Sequence, residues 1–295
     1  MNIKSDNEQN LLAPQYQMNP LAFEIAALAE RSLLYEVMSF PKPGLVTPIS
    51  SGAHRDMDMF TFIDSSSVLI KYFALAAMNG LSHQSPKEQF LELRTLGVQA
   101  EQEMLEATEG VNTHKGLIFL MGIACNAVAK AYFEKRSHEE ISTIIRDMTQ
   151  GIVKSDLAAT KKREYSHGER IYLKHGIAGV REEAEQGLPT VFLSSLPFYQ
   201  QNADLSNHSR LLQTLLKIMT TCQDTTIIHR ANREALFEIQ ESAKEILRIG
   251  GVRTKEGRNE VDRLCGKCLI DNISPGGSAD LLAVTVFFHF TKKFW

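Results

Sequence analysis

Apolar residues recur every three to four positions through most of the chain, and no segment alternates strictly between apolar and polar residues over several strands. That spacing puts the apolar side chains on one stripe of a helix, so the sequence predicts an all-α protein built as one large multi-helix domain. Leu21, Ile25, Leu28 and Ala29 form such a stripe, with Asn19 placed to cap the helix and Pro20 in its first turn. Ser85-Pro-Lys-Glu88 and Ser137-His-Glu-Glu140 fit the capping box, in which a serine and the glutamate three residues on satisfy N–H groups left open at a helix start. The pattern predicts helices at about 20–38, 58–80, 86–108, 113–134, 138–150, 178–187, 206–220, 232–249, 256–271 and 278–290, with ends placed to roughly 2–4 residues. Gly250-Gly251 gives one of them a natural stop. Residues 1–18 read as a mobile tail ahead of a helical domain at 19–295. The charged stretch from Thr160 to His175, with Lys161, Lys162, Arg163, Glu164, Glu169, Arg170 and Lys174, reads as a long exposed connection able to cover a site.

The helical pattern breaks most sharply over residues 40–60. Three prolines and two glycines force an irregular path there, because proline lacks an N–H and glycine tolerates positive φ. Lys42, His54, Arg55, Asp56 and Asp58 sit inside that path, more chemistry than a connector requires. Two further junctions, Glu109-Gly-Val-Asn-Thr-His-Lys-Gly116 and Ser274-Pro-Gly-Gly-Ser-Ala-Asp280, are also glycine-bearing and charged, and each opens directly into an apolar run. Three such junctions predict one composite polar site.

Composition narrows what that site serves. A chain of 295 residues with 43% hydrophobic content is long enough to bury a large core. Its net charge of -3, with lysines and arginines scattered, leaves no extended footprint for nucleic acid, whereas a local basic pocket for a small anion remains open. The polar N-terminus lacks the apolar core of a secretion signal, and the apolar run Leu281 to Phe288 is too short to cross a bilayer, so a cytoplasmic protein with no membrane partner is expected. Four cysteines make no disulfide framework. Cys265-Gly-Lys-Cys268 is a lone C-x-x-C without a second pair, and reads as two thiols on a helix in preference to half a zinc site or a redox pair. No G-x-x-x-x-G-K-[ST], G-x-G-x-x-G, G-x-S-x-G or H-E-x-x-H occurs, so a nucleotide bound here is not held in a P-loop.

Asp56 and Asp58 are two residues apart, which in an extended loop lets both carboxylates face one ligand and suits a hard cation such as Mg2+. The alternative is that one caps the helix beginning near Met59 while the other is solvated. His54 has three open roles: binding phosphate, orienting a carboxylate, or capping a turn. At the second junction Asn112 and Thr113 are possible caps, and Lys115 and Gly116 follow in the first turn. A lysine is unfavourable at the positive end of a helix unless an anion joins it, so this start points to phosphate. Gly276, Gly277 and Ser278 repeat that geometry, with Asp280 in the first turn, where its charge either suits the helix start or faces a metal; for either junction alone, plain helix capping is the competing explanation. Asp224-Thr-Thr-Ile-Ile-His-Arg230 puts an acid, two hydroxyls, a histidine and an arginine among apolar residues, which implies either a structural ion pair or a site. Arg181 and Glu185 are spaced for a surface salt bridge, which leaves Glu183 free to face elsewhere.

Taken together, Pro41-Lys-Pro-Gly-Leu-Val46, Gly52-Ala-His-Arg-Asp-Met-Asp58, Gly110-Val-Asn-Thr-His-Lys-Gly116, His167-Gly-Glu169, Arg181 to Gly187, Asp224-Thr225 and Ser274-Pro-Gly-Gly-Ser-Ala-Asp280 closely resemble the triphosphoribosyl-dephospho-CoA synthase family. The likeness runs from about Ala22 to Phe288. It departs only in Ser50-Ser51, where more polar amide residues are expected, and in the extra tail before Pro20. The resemblance implies an enzyme that joins ATP to the 2'-hydroxyl of 3'-dephospho-CoA and expels adenine, making the prosthetic-group precursor of citrate lyase, with a related branch serving malonate decarboxylase. Chain length and a free-standing single function favour the citrate lyase branch, and the product is expected to pass to a separate transferase that loads the acyl carrier subunit.

Such a site must hold a triphosphate without activating it. That role suits Mg2+ on Asp56 and Asp58, together with Lys42, His54, Arg55, Asn112, Lys115 and the helix start at Gly276, Gly277 and Ser278. By analogy with inverting glycosidases, Asp224 is the expected base and Glu183 the expected acid on opposite faces of the sugar. Two competing readings are a helical, magnesium-dependent ADP-ribosyl or nucleotide N-glycoside hydrolase and a non-catalytic helical interaction module.

Overall fold

The computed structural model describes residues 19–157 and 165–295. Among these residues the regular elements are helices. The first six are α1 (Pro20–Val37), α2 (Met59–Gly80), α3 (Pro86–Ala107), α4 (Lys115–Phe133), α5 (Ile141–Thr149) and α6 (Ile152–Leu157). After residue 164 come α7 (His167–His175), α8 (Val180–Glu185), α9 (Leu196–Gln201), α10 (Asn207–Met219), α11 (Thr225–Arg230), α12 (Arg233–Arg248), α13 (Lys255–Ile270) and α14 (Gly276–Thr291). The only extended pairing among the described residues is an isolated bridge between Thr47 and Ser50. An all-α protein is what the apolar periodicity predicts. The expected tail and the charged residues Lys161, Lys162, Arg163 and Glu164 lie outside the described residues.

Two helices form the centre. α4 is buried from Leu117 to Ala131 except at Phe119, and α14 buries Leu281 to Phe288 without a break. Both are apolar on every side because neighbours cover every side: α1, α2, α3 and α5 pack on α4, while α1, α9, α10 and α4 pack on α14. Each fully buried phenylalanine, such as Phe73, Phe287 or Phe288, contributes about 1.5–3 kcal/mol relative to leaving it in water. The one charge on the buried face of α4, Lys130, donates to the carbonyls of Ser82 and Gln84 at 2.9 and 2.7 Å and pairs with Glu134 at 2.9 Å. A buried ammonium with three partners escapes most of the penalty of burial. α12 and α13 form an outer layer, α12 resting on α10.

The helix starts follow local chemistry. Asn19 Oδ1 accepts from the N–H groups of Leu21 and Ala22 at 2.9 and 3.2 Å, and Ser85 and Glu88 close the capping box predicted for them. α12 ends before Gly250, whose φ of 106° belongs to the left-handed region glycine enters freely. The structure differs from expectation in the short elements. Residues 167–175, read as part of an exposed connection, form α7, opened by a Ser166–Glu169 capping box and closed by Gly176. α6 and α11 have six residues each, and a π-helical turn at Thr190–Ser195 leads into α9. Such lengths are too short for a 3.6-residue repeat to register. Cys265 and Cys268 are free thiols on α13, pushed up to about 11 and about 12 mainly by burial.

Candidate active site

The three glycine-bearing junctions meet. Gly44, at φ +65°, turns the 40–58 loop so close to the carbonyl of Ile273 that any Cβ there would collide with it. His54 Nε2 lies 2.9 Å from Ser274 Oγ, and Arg230 donates to the carbonyl of Ala53 and to Asn272, at 2.9 Å to its carbonyl and 2.7 Å to its Oδ1. The second junction closes on the third, since a Cβ on Gly116 would fall on the Asp280 carboxylate. Between these segments lies a cavity of about 790 Å³, to which Asp56, Lys115 and Gly277 all contribute.

Of the residues expected at a site, Lys42, His54, Asp56, Asn112, Lys115, Gly276 and Gly277 line this cavity. Several are already engaged. Lys42 is buried in an ion pair, 2.6 Å from Glu36 Oε1 and 2.8 Å from the Glu36 carbonyl. Lys115 pairs with Glu101, and Asn112 Oδ1 accepts from the Lys115 N–H at 3.2 Å. His54 Nδ1 sits 3.6 Å from Asp56 Oδ1, and burial, followed by the charge of Arg230, lowers the histidine's pKa, so the imidazole is neutral at pH 7.

Five expected residues are not among those lining the cavity. Asp58 caps α2, its Oδ1 accepting from the Thr61 N–H at 3.0 Å and the Thr61 hydroxyl at 3.1 Å, so the D-x-D pair does not present two carboxylates to one ligand. Arg55 points to solvent. Ser278 and Asp224 satisfy each other behind the wall: Asp224 Oδ2 accepts from the N–H and Oγ of Ser278 at 2.8 and 2.9 Å, while Oδ1 accepts from Thr226 and Ile227 at 3.0 and 3.3 Å. One carboxylate thus caps α11 and α14 together, and the anion site expected at the start of α14 is filled from within. Glu183 lines a smaller cavity of about 170 Å³, which shares Val180, Thr225 and Gly277 with the first, and its carboxylate is held by the hydroxyl and N–H of Thr190. Burial raises its pKa, and Asp224 lines neither this cavity nor the larger one.

What the cavity does present is Asp280. No hydrogen-bond donor reaches its carboxylate among the described residues, and its pKa is raised well above the ordinary range by enclosure first, then by Asp224 and Glu36. A carboxylate so placed draws either a proton or a cation. The same cavity is also lined by a basic group. His167 and His229 stack with ring centroids 3.6 Å apart, and Arg170 and Arg230 flank them, depressing the pKa of His229 after burial and His167 have acted. The Arg170 side chain makes no ion pair or hydrogen bond among the described residues. Two arginines and two imidazoles gathered at one cavity, Arg230 held by Ala53 and Asn272 and the Arg170 side chain without such a partner among the described residues, make a place for a polyanion.

Residues 22–295 match the family described as ATP:dephospho-CoA triphosphoribosyl transferase. The chain belongs to this family. It is 37% identical to a protein of Malonomonas rubra named probable 2-(5''-triphosphoribosyl)-3'-dephosphocoenzyme-A synthase, over 92% of this chain and 88% of the relative. It is 39% identical to a protein of the same name from Lactiplantibacillus plantarum, over 88% and 94% of the two chains. A Leuconostoc mesenteroides relative named Protein CitXG is 39% identical over 95% of this chain and 61% of its own length. No solved structure matches the chain.

For this triphosphoribosyl transferase, the basic group is the part that sequence reasoning missed. His229 and Arg230 stand in a motif read as a site, and His167 in another, but 62 residues separate His167 from His229 and only the packing of α7 on α11 brings them together. The available signal was the capping box at Ser166 to Glu169, which marks a helix where a charged loop was expected.

Proposed function

We infer that this chain transfers the 5-triphosphoribosyl group of ATP to the 2'-hydroxyl of 3'-dephospho-CoA and releases adenine. The observation that carries the reading is the match of residues 22–295 to a family of that activity, and the cavity supplies parts the chemistry needs. The bond from the ribose anomeric carbon to adenine breaks with its electrons leaving on the base. A bond from the acceptor oxygen to that carbon forms, and the hydroxyl proton is finally carried by the departing adenine. No phosphoryl group moves, so the triphosphate has only to be held. His167, Arg170, His229 and Arg230 hold it in this proposal, with Lys115 at the second junction. Asp280 receives the proton of the attacking hydroxyl, its raised pKa making it a stronger base than an ordinary carboxylate, and Asp224 and Glu36 keep it so. The family description names a transferase, which supports neither a hydrolase nor a non-catalytic interaction module.

Mg2+ belongs to the proposal. Among the described residues no group of three or more histidine, cysteine or acidic side chains forms an all-protein cage, and magnesium does not require one, since it binds through one or two carboxylates with substrate phosphate and water. The donor set fits on Asp56, whose exposed carboxylate reaches the cavity, and not on Asp58. When bound, the ion would offset phosphate charge. A cytoplasmic setting, in keeping with four free cysteines, and delivery of the product to a transferase that loads an acyl carrier subunit complete the proposal.

The test is to incubate the protein with ATP, magnesium and 3'-dephospho-CoA and to resolve the products by mass. Free adenine and a joined product are expected, both requiring dephospho-CoA. Adenine and free ribose triphosphate formed from ATP alone would establish a hydrolase instead.

A further inference from the structure

One end of the cavity differs from the loop-lined end. Tyr72 of α2, Phe90, Leu93 and Gly97 of α3, and Phe119 and Ile123 of α4 form an apolar recess between three helices, bordered by Arg94, whose charge is already paired with Asp156 at 2.9 Å. Tyr72 is only 4% exposed, yet its hydroxyl has no hydrogen-bond partner among the described residues. Burial, and secondarily the nearby Cys125, raises its pKa, so the group remains a phenol and a donor at neutral pH. The hydroxyl opens onto the cavity, where a ligand that supplies an acceptor matches it. Glycine makes the room: a Cβ at Gly122 would fall on the Tyr72 hydroxyl, and one at Gly97, which also faces the cavity, would lie 3.5 Å from it. Glycine in a helix interior is unfavourable relative to alanine, so its presence at both positions needs a reason beyond the helix.

Resting on the transferase reading, we propose that this recess holds the pantetheine arm of 3'-dephospho-CoA, with the Tyr72 hydroxyl donating to an amide carbonyl of the arm. The chemistry selects this occupant from the parts of the two substrates. Triphosphate and ribose are too polar for walls of Phe90, Leu93 and Phe119. A purine would leave an exocyclic amine and several ring nitrogens against carbon, with one hydroxyl to serve them. The arm is a chain of methylene and methyl groups interrupted by widely spaced amides, which apolar walls with one donor accommodate. The same placement directs the acceptor's ribose toward the polar end, where Asp280 stands.

Two variants test it, Gly97→Leu to fill the recess and Tyr72→Phe to remove the donor, each checked for an unchanged helical spectrum. Gly97→Leu is expected to raise KM for dephospho-CoA at least about tenfold with KM for ATP unchanged, and Tyr72→Phe to raise it about five- to tenfold by loss of one buried hydrogen bond. Pantetheine alone, titrated by calorimetry without ATP, should bind the wild type and lose binding to Gly97→Leu. A rise in KM for ATP instead would assign the recess to the adenine of ATP and overturn the proposal. So would folded variants with both KM values unchanged, or pantetheine binding equally to wild type and Gly97→Leu. Absence of dephospho-CoA-dependent adenine release from the wild type would count against the transferase reading itself, while the pantetheine titration would still report on the recess.

Discussion

At one end of the cavity the wall is made of loops and helix starts drawn from residues as far apart as His54 and Asp280. At the other it is made from the sides of three consecutive helices, α2, α3 and α4. The first end gathers charge: Asp56, Asp280, His167, Arg170, His229 and Arg230. The second carries its charge at the edge, on Glu101 and on Arg94, which lies over Phe90 and is paired with Asp156 at 2.9 Å, and otherwise offers aromatic and aliphatic carbon around the Tyr72 hydroxyl. The physical basis is where a backbone leaves polar groups to spare. Helix ends and glycine turns expose N–H groups and tolerate charged neighbours, whereas helix flanks satisfy their own backbone and leave only side chains to choose. A substrate with a polyanionic half and an amide-linked alkyl arm meets both kinds of surface in one space.

The largest effect that separates the ends is expected at Asp280. Asp280→Asn should lower the rate of adenine release by about 10²- to 10⁴-fold with the helical spectrum intact, the range typical of a lost general base. Because the folded-state pKa of Asp280 is raised above its unfolded value, its protonated form is favoured by folding. Wild-type stability from this group is therefore present at low pH and declines as pH rises from the ordinary carboxylate range through the raised value. The asparagine variant escapes that decline, so its melting temperature should exceed that of wild type by more at pH 8 than at pH 5. Equal differences at the two pH values would show that the carboxylate is not strained by its surroundings.

Next in size, Arg170→Ala should raise KM for ATP about tenfold, since a charged hydrogen bond to phosphate is lost and no side-chain partner among the described residues is disturbed. The effect should shrink as salt is added. Asp58→Ala should lower the melting temperature through loss of the α2 cap while leaving turnover intact, whereas Asp56→Asn should raise the magnesium concentration needed for half-maximal rate. Equal kinetic losses at the two positions would restore the D-x-D pair as a joint ligand. Smallest is Lys115→Met, expected to change KM for ATP by no more than about threefold, because Lys115 is already paired with Glu101 at the surface.

Much of the fold was readable in the chain. The long helices, their caps at Asn19, Ser85 and Ser137, and the break over residues 40–60 are local consequences of residue spacing, proline and glycine, and the structure has them in those places. The site was readable as motifs and not as roles. Asp224 looked reactive because an acid among apolar residues demands an explanation, and the explanation is that it caps two helices at once. Asp58 looked like a ligand and is a cap. Asp280, read as an acid in a helix first turn that is favourable there or faces a metal, is the one whose carboxylate no donor reaches among the described residues.

The sequence by itself determined which segments are helical, where they start, and which turns carry chemistry, because those depend on interactions within a few residues. Only the tertiary structure decided which carboxylate is used up and which is left, that His167 stacks on His229, and that Tyr72 meets two glycines around an apolar recess. A side chain's partner is set by what packs across from it, and that neighbour is fixed by how the helices share one core, which no local window of residues contains.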